Sequence, residues 1–145
     1  MSYIMTPSQK CYDLIKQFEG CKLTAYKDSV GVWTIGYGST INVCAGMTIT
    51  QQQADDRLIS DVHQAAVCVD GKVSVIITQN QFDALTSFVF NLGCAAFYTS
   101  TLRRLINLQQ FNLAAEEFIK WDHANGQVLP GLLRRRQAEQ ALFIS

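Results

Sequence analysis

Two capping boxes constrain this chain more than any other feature. In the first, Thr50 is followed three residues later by Gln53, and in the second, Thr78 by Gln81. A threonine side chain at such a position accepts from a backbone N–H, and the glutamine reaches back to the threonine's own N–H, so two orphan donors are satisfied at once. Each box opens a helical apolar pattern. Ala54, Leu58, Val62, Ala65, Ala66 and Val69 follow the first, with Gly71 as the expected stop. Phe82, Leu85, Phe88, Val89 and Leu92 follow the second, closed by Gly93.

Shorter helices are expected on either side. Thr6 as N-cap and Pro7 at the first helical position open a pattern of Cys11, Leu14, Ile15 and Phe18, with Gly20 ending it. One helix starts near Ser100 and carries Leu102, Leu105 and Ile106. Another runs through Ala114, Phe118 and Trp121, and a last one begins near Pro130. Only "LTAYKDSVGVWTIGYG" departs from this pattern. Aromatic and β-branched residues flank a turn of Asp28, Ser29, Val30 and Gly31, which predicts a short hairpin. The expected class is α+β: a small N-terminal β-hairpin lobe beside a larger helical lobe, with a cleft between them.

The 145 residues suffice for one domain with a sizeable core. Twelve basic and twelve acidic side chains cancel, which argues against bulk binding to nucleic acid or to an anionic membrane. No apolar run approaches the ~20 residues of a membrane span. The start "MSYIMTPSQK" does not read as a secretory signal, so synthesis in the cytosol is expected. Five cysteines, an odd number without C-x-x-C, and two histidines argue against a disulfide framework and a structural zinc site. Buried free thiols are the expectation. The best pair for a bridge is Cys68 with Cys94, whose helix ends are joined by a short segment. No metal or organic cofactor is implied.

The hairpin region carries the chemistry. Glu19 ends an apolar helix, where the macrodipole disfavours its anion, and Phe18 beside it limits hydration. Asp28 lies in a polar turn and is expected to stay ionised. One protonated and one charged carboxyl is the division of labour in glycoside hydrolysis, and Thr34 is placed to orient a water. On the second strand Trp33, Ile35 and Tyr37 alternate with Val32, Thr34, Gly36 and Gly38. The bare second face suits close approach of a polymer; tight turns and twist account for the same glycines equally well. Solvated surface charge explains most acid pairs of this kind.

The run E-x8-D-x5-T-I-G-Y-G, from Glu19 to Gly38, resembles the catalytic signature of the phage-type lysozymes, glycoside hydrolase family 24. "TQNQFDALTSFVFNLG" is similar to the family's central helix, and "STLRRLIN" and "LPGLLRRRQAEQALF" to its later helices, so nearly the whole chain is covered. The resemblance implies one lysozyme domain over 1–145, with a β lobe at about 21–48 and a helical lobe of about 6–19 plus 50–145. It implies Glu19 as general acid, Asp28 as second carboxylate, Thr34 as the water-positioning hydroxyl and Arg135 against Glu19. Gly36, Gly38, Asn91 and Thr101 are the implied substrate contacts. The implied substrate is the peptidoglycan glycan strand, cut at the β-1,4 bond between N-acetylmuramic acid and N-acetylglucosamine. A monomer is implied, held in the host cytoplasm until a holin gives access to the wall. Two features depart from the family. Ser39 stands where many relatives have histidine, which removes a charged contact between the lobes, and the sequence pI of ≈ 6.7 is low for relatives that are often basic. A non-catalytic peptidoglycan-binding module needs the groove but not the acids, and a purely structural helical protein needs neither.

Overall fold

The computed structural model describes residues 5–124 and 126–145. Helix α1 (Gln9–Glu19) leads into a hairpin of β1 (Lys22–Lys27) and β2 (Trp33–Gly36). Helices α2 (Gln51–Lys72), α3 (Gln79–Leu92), α4 (Cys94–Tyr98), α5 (Thr101–Asn107) and α6 (Phe111–Glu117) follow, the last running into a 3-10 turn, Phe118–Lys120. A two-residue ribbon, β3 (His123–Ala124) with β4 (Gln127–Val128), precedes α7 (Pro130–Ile144).

Both capping boxes form as expected, with Thr50 and Thr78 each accepting from the N–H three residues on. Ser100 caps α5 in the same way. The start of α1 differs. The helix begins two residues after Pro7, with Ser8 at the cap, and the Ser8 hydroxyl does not cap it but donates to the carboxylate of Asp83 on α3. Asp83 is fully buried and also accepts from the Ser8 N–H and from Gln79, so a tertiary contact outcompetes the local one predicted at Thr6. Helix α2 passes through Gly71 and stops at Lys72. The helix expected to run on to Trp121 ends earlier, in the 3-10 turn. Neither α4 nor the second ribbon is evident from the sequence pattern.

Helix α3 is the axis of the helical lobe and packs against α2, α7 and α1. Phe88, fully buried at its centre, meets Phe97, Phe118 and Trp121 edge-on, with ring centroids 6.3, 5.7 and 5.5 Å away. A smaller core of Cys11, Ile15, Leu58 and Val62 joins α1 to α2. The hairpin lobe is thin. β1 is largely exposed, and its second edge is completed only by the segment 47–49, through Ala25 N–H to Met47 O and Ile49 N–H to Leu23 O, both 2.9 Å. Its anchor is Ile35, fully buried.

The cysteines depart from the expected free thiols. Cys68 and Cys94 form a disulfide with Cα atoms 5.9 Å apart, while Cys11, Cys21 and Cys44 are free. The short connection between α2 and α3 turns the chain back on itself. The end of α2 therefore lies beside the α3–α4 junction, and an odd cysteine count does not prevent one such closure.

Candidate active site

Glu19 is the last residue of α1, with a side chain 21% exposed. It stands between two cavities. One, of ≈ 450 Å³, is lined by Gly38, Thr40, Asp61, Gln64, Asn91 and Cys94 among others, together with Glu19 itself. The other, of ≈ 910 Å³, lies toward α7 and shares Glu19 and Asn91 with the first. The cleft thus runs past the Glu19 carboxyl between the loop after β2, the face of α2 and the end of α3.

The two oxygens of Glu19 face different surroundings. Oε1 accepts from Nη1 of Arg135, which is 3% exposed. Oε2 faces Gly38, where an added Cβ would stand 3.2 Å from it. Gly38 also has φ +88°, a conformation that side chains disfavour, so glycine is required there twice over. Behind Arg135 runs a buried polar chain. Arg135 Nε lies 3.4 Å from Glu139 Oε2, which also accepts from Ser87 Oγ at 2.6 Å. Glu139 Oε1 lies 3.1 Å from Arg136 Nε, and Arg136 Nη2 donates to the Asn91 side-chain carbonyl. Arg136 and Glu139 are both fully buried. Burial raises the Glu139 carboxyl, with Arg136 and then Arg135 opposing it. Burial likewise lowers the Arg136 guanidinium, with Glu139 opposing. The arginine triplet is therefore not a solvated helix face: Arg134 is exposed, and the other two brace the cleft from within.

Asp28 is held by its own turn. Its Oδ1 accepts from the N–H groups of Val30 (3.0 Å) and Val32 (2.8 Å). Among the described residues Oδ2 accepts no hydrogen bond. Thr34 is 4% exposed and its hydroxyl donates to Val32 O at 2.9 Å, so the oxygen keeps its lone pairs for an incoming donor. Neither residue lines the two cavities that flank Glu19. The predicted bare strand face is only half present. Gly36 turns toward α2, where a Cβ would meet Ala54 and Ile49 at 3.6 Å, so it packs the lobe instead of clearing space for a polymer. Asn91 lies in the cleft, but Thr101 does not: it sits in a separate depression with Tyr98, Arg103 and Asn107.

Several site residues escaped the sequence reading. Arg136, Glu139 and Ser87 form the brace, and the spacing of Arg135 and Arg136 to Glu139, four and three residues on one helix, is the signal that marks them. Asp61 and Gln64 line the cleft from α2. Burial raises the Asp61 carboxyl, against the Ser39 hydroxyl and Arg57. Among the described residues no three His, Cys, Asp or Glu side chains converge as a metal site needs.

The family model described as phage lysozyme matches residues 16–139. An endolysin from Acyrthosiphon pisum secondary endosymbiont phage 1 is 47% identical over 142 residues, covering 95% of this chain and 97% of that protein. The solved muramidase domain of SpmX from Asticaccaulis excentricus superposes with a TM-score of 0.91 at 39% identity, covering 97% of this chain and 98% of that one. The endolysin from Escherichia coli O157:H7 phage FAHEc1 also gives 0.91, at 36% identity over 100% of this chain and 97% of that one. With its glutamate, cleft and arginine brace in place, the chain belongs to the phage lysozyme family.

Proposed function

We propose that Glu19 is the general acid, and Asp28 with Thr34 the water-activating pair, of a muramidase that cuts the β-1,4 bond between N-acetylmuramic acid and N-acetylglucosamine with inversion. Membership of the family makes the chain a peptidoglycan-cleaving glycoside hydrolase of the endolysin kind. The observation that carries the assignment of roles is the placement of Glu19: Oε1 is anchored by buried Arg135, while Oε2 faces the cleft loop at Gly38. The anchored oxygen fixes the orientation, and the other delivers the proton to the leaving glycosidic oxygen. Asp28, with Oδ1 saturated by backbone N–H groups, offers Oδ2 to take one proton from a water, and the Thr34 oxygen accepts a hydrogen bond from that water's other hydrogen, which stays with the product hydroxyl. The attacking water approaches the anomeric carbon from the side opposite the acid. Asn91, fixed through its carbonyl by Arg136, keeps its amide N–H groups for the sugar.

Inversion requires the carboxyls to stand about 6.5–9.5 Å apart, against ~5–5.5 Å in a retaining pair. The test follows the anomeric proton of the first-formed product by NMR, alongside mass analysis of the released muropeptides. An α anomer at a reducing muramic acid is expected. A β anomer first would overturn inversion, and an anhydro product would overturn hydrolysis.

Delivery is part of the same reading. Among the described residues no helix is long and apolar enough to cross a membrane. The enzyme accumulates in the host cytoplasm as a monomer and meets the wall once a holin opens the membrane. Expression alone should leave cells intact and chloroform should lyse them; lysis on expression, blocked by inhibiting Sec export, would contradict this.

A further inference from the structure

We propose that Arg57 is a positioning residue for the hydrolysis, holding the loop after β2 so that Gly38 seats the Glu19 carboxylate. The inference rests on the reading of Glu19 as general acid. It starts from the face that α2 turns to the hairpin lobe. Three contacts follow one another along it at about one helical turn each. Gln51 donates to the Tyr37 hydroxyl at 3.1 Å, Ala54 packs on Gly36, and Arg57 reaches the loop. One more turn along, Asp61 lines the cleft. Arg57 is thus the contact by which the helix holds the loop at the edge of the cleft, with Asp61 beyond it facing the same serine.

A single nitrogen makes the bridge. Nη1 of Arg57 donates to Ser39 Oγ at 3.1 Å and to Ile41 O at 2.8 Å. Its two hydrogens are therefore both spent on the loop. Ser39 is 3% exposed and is paired with Ile35 in both directions, N–H to O, at 2.9 Å each. That pairing closes the tight loop between them, in which Gly36 and Gly38 both have positive φ. Gly38 cannot move independently of Ser39, and Gly38 is the residue against Glu19 Oε2. The path is short: the guanidinium fixes Ser39, Ser39 fixes Gly38, and Gly38 bounds the space in which the Glu19 carboxyl can turn.

Asp61 completes the cluster. It is four residues beyond Arg57 on the same helix face, and both the Ser39 hydroxyl and Arg57 act on its carboxyl. Ser39 Oγ accepts from the arginine and keeps its own proton to give to the carboxylate. A serine here joins a cation and an anion that both come from α2. Because Tyr37 and Gly36 hold the lobe to the first two turns of α2, removing Arg57 should release only the loop beside the cleft.

The test is a double-mutant cycle between Arg57 and Glu19, read as kcat and KM on purified peptidoglycan fragments well below the unfolding midpoint. Misplacing a reacting group by ~1 Å costs up to about 100-fold in rate. Arg57→Ala is expected to lower kcat about tenfold with KM within about twofold of wild type. Arg57→Lys, which keeps charge and donors, should recover to within about threefold. In a Glu19→Gln background, Arg57→Ala should cost nothing further, because the group it positions is gone. A wild-type kcat for Arg57→Ala, or the same tenfold loss in both backgrounds, would overturn the proposal. Ser39→Ala removes one of the two acceptors, is expected to lower kcat about threefold, and decides the matter if Arg57→Ala does not fold: a wild-type kcat there would also overturn it. Glu19→Gln as active as wild type would instead overturn the assignment of Glu19 itself.

Discussion

Glu19 belongs to the helical lobe and Asp28 to the hairpin lobe, and the two are held by different means. Glu19 is fixed by Arg135, 116 residues away in the chain, and behind Arg135 stand the fully buried Glu139 and Arg136. Asp28 is fixed by N–H groups two and four residues along its own turn. One carboxyl is oriented by a tertiary network in a low-dielectric interior, the other by a local motif that needs only the hairpin to form. The difference separates two kinds of vulnerability. Damage to the brace behind Glu19 reaches the whole helical lobe, whereas damage at the loop reaches only the geometry of the cleft.

The largest expected effect follows from the brace. Glu139→Ala leaves Arg135 and Arg136 without their shared buried partner, and breaking a buried pair in this way costs about 3–5 kcal/mol. Chemical denaturation should show that loss, whereas Asp28→Asn should stay within about 1 kcal/mol of wild type. Comparable losses in the two variants would erase the contrast between the lobes. The disulfide comes next. It closes a loop with a sequence separation of 26, for which about 2–4 kcal/mol is typical. Reductant should lower the unfolding midpoint of wild type but not of Cys68→Ser, since that variant has no bridge to reduce. At the loop, Gly38→Ala sets a Cβ against Glu19 Oε2 and strains a φ of +88°. Activity on peptidoglycan should fall about 100-fold, with most of the stability retained. Full activity would mean that the carboxyl has room that this structure does not show.

The smallest effect is a pH dependence. Burial raises the Asp61 carboxyl from its ordinary value of 3.8, with Ser39 and Arg57 opposing. The folded state therefore holds that proton more tightly than the unfolded chain. The associated stability is full below pH 3.8 and is lost as pH rises through the folded value. Asp61→Asn lacks this loss, so its unfolding midpoint relative to wild type should climb between acid and neutral pH. A constant difference across that range would place Asp61 in water rather than in the wall of the cleft.

What the sequence made legible follows the same division. Both capping boxes, the hairpin turn and the glutamate at the end of α1 are local patterns, and they form where the spacing put them. The cap of α1 was not legible because Asp83 takes the Ser8 hydroxyl across 75 residues of chain. Gly36 looked like a cleared surface because period-two alternation says which way a residue points but not what it meets, and here it meets Ala54. Arg135 against Glu19 is legible in the sequence only through the family resemblance. Its neighbours Arg136 and Glu139 sit at helical spacing that permits pairing, yet only the packing of α7 on α3 reveals that the pair is buried. Thr101 is the opposite case: the family resemblance implies a substrate contact, and the fold sets the residue in a depression separate from the two that flank Glu19.

The central claim is that a glutamate clamped at one oxygen by Arg135 delivers the proton from the other. Glu19→Gln keeps shape and polarity and removes only that proton. Lysis of chloroform-treated Gram-negative cells by the purified variant, with thermal unfolding measured in parallel, should show a rate lower by about 10²–10⁴-fold at a near-native midpoint. A wild-type lytic rate from the folded variant would contradict the account.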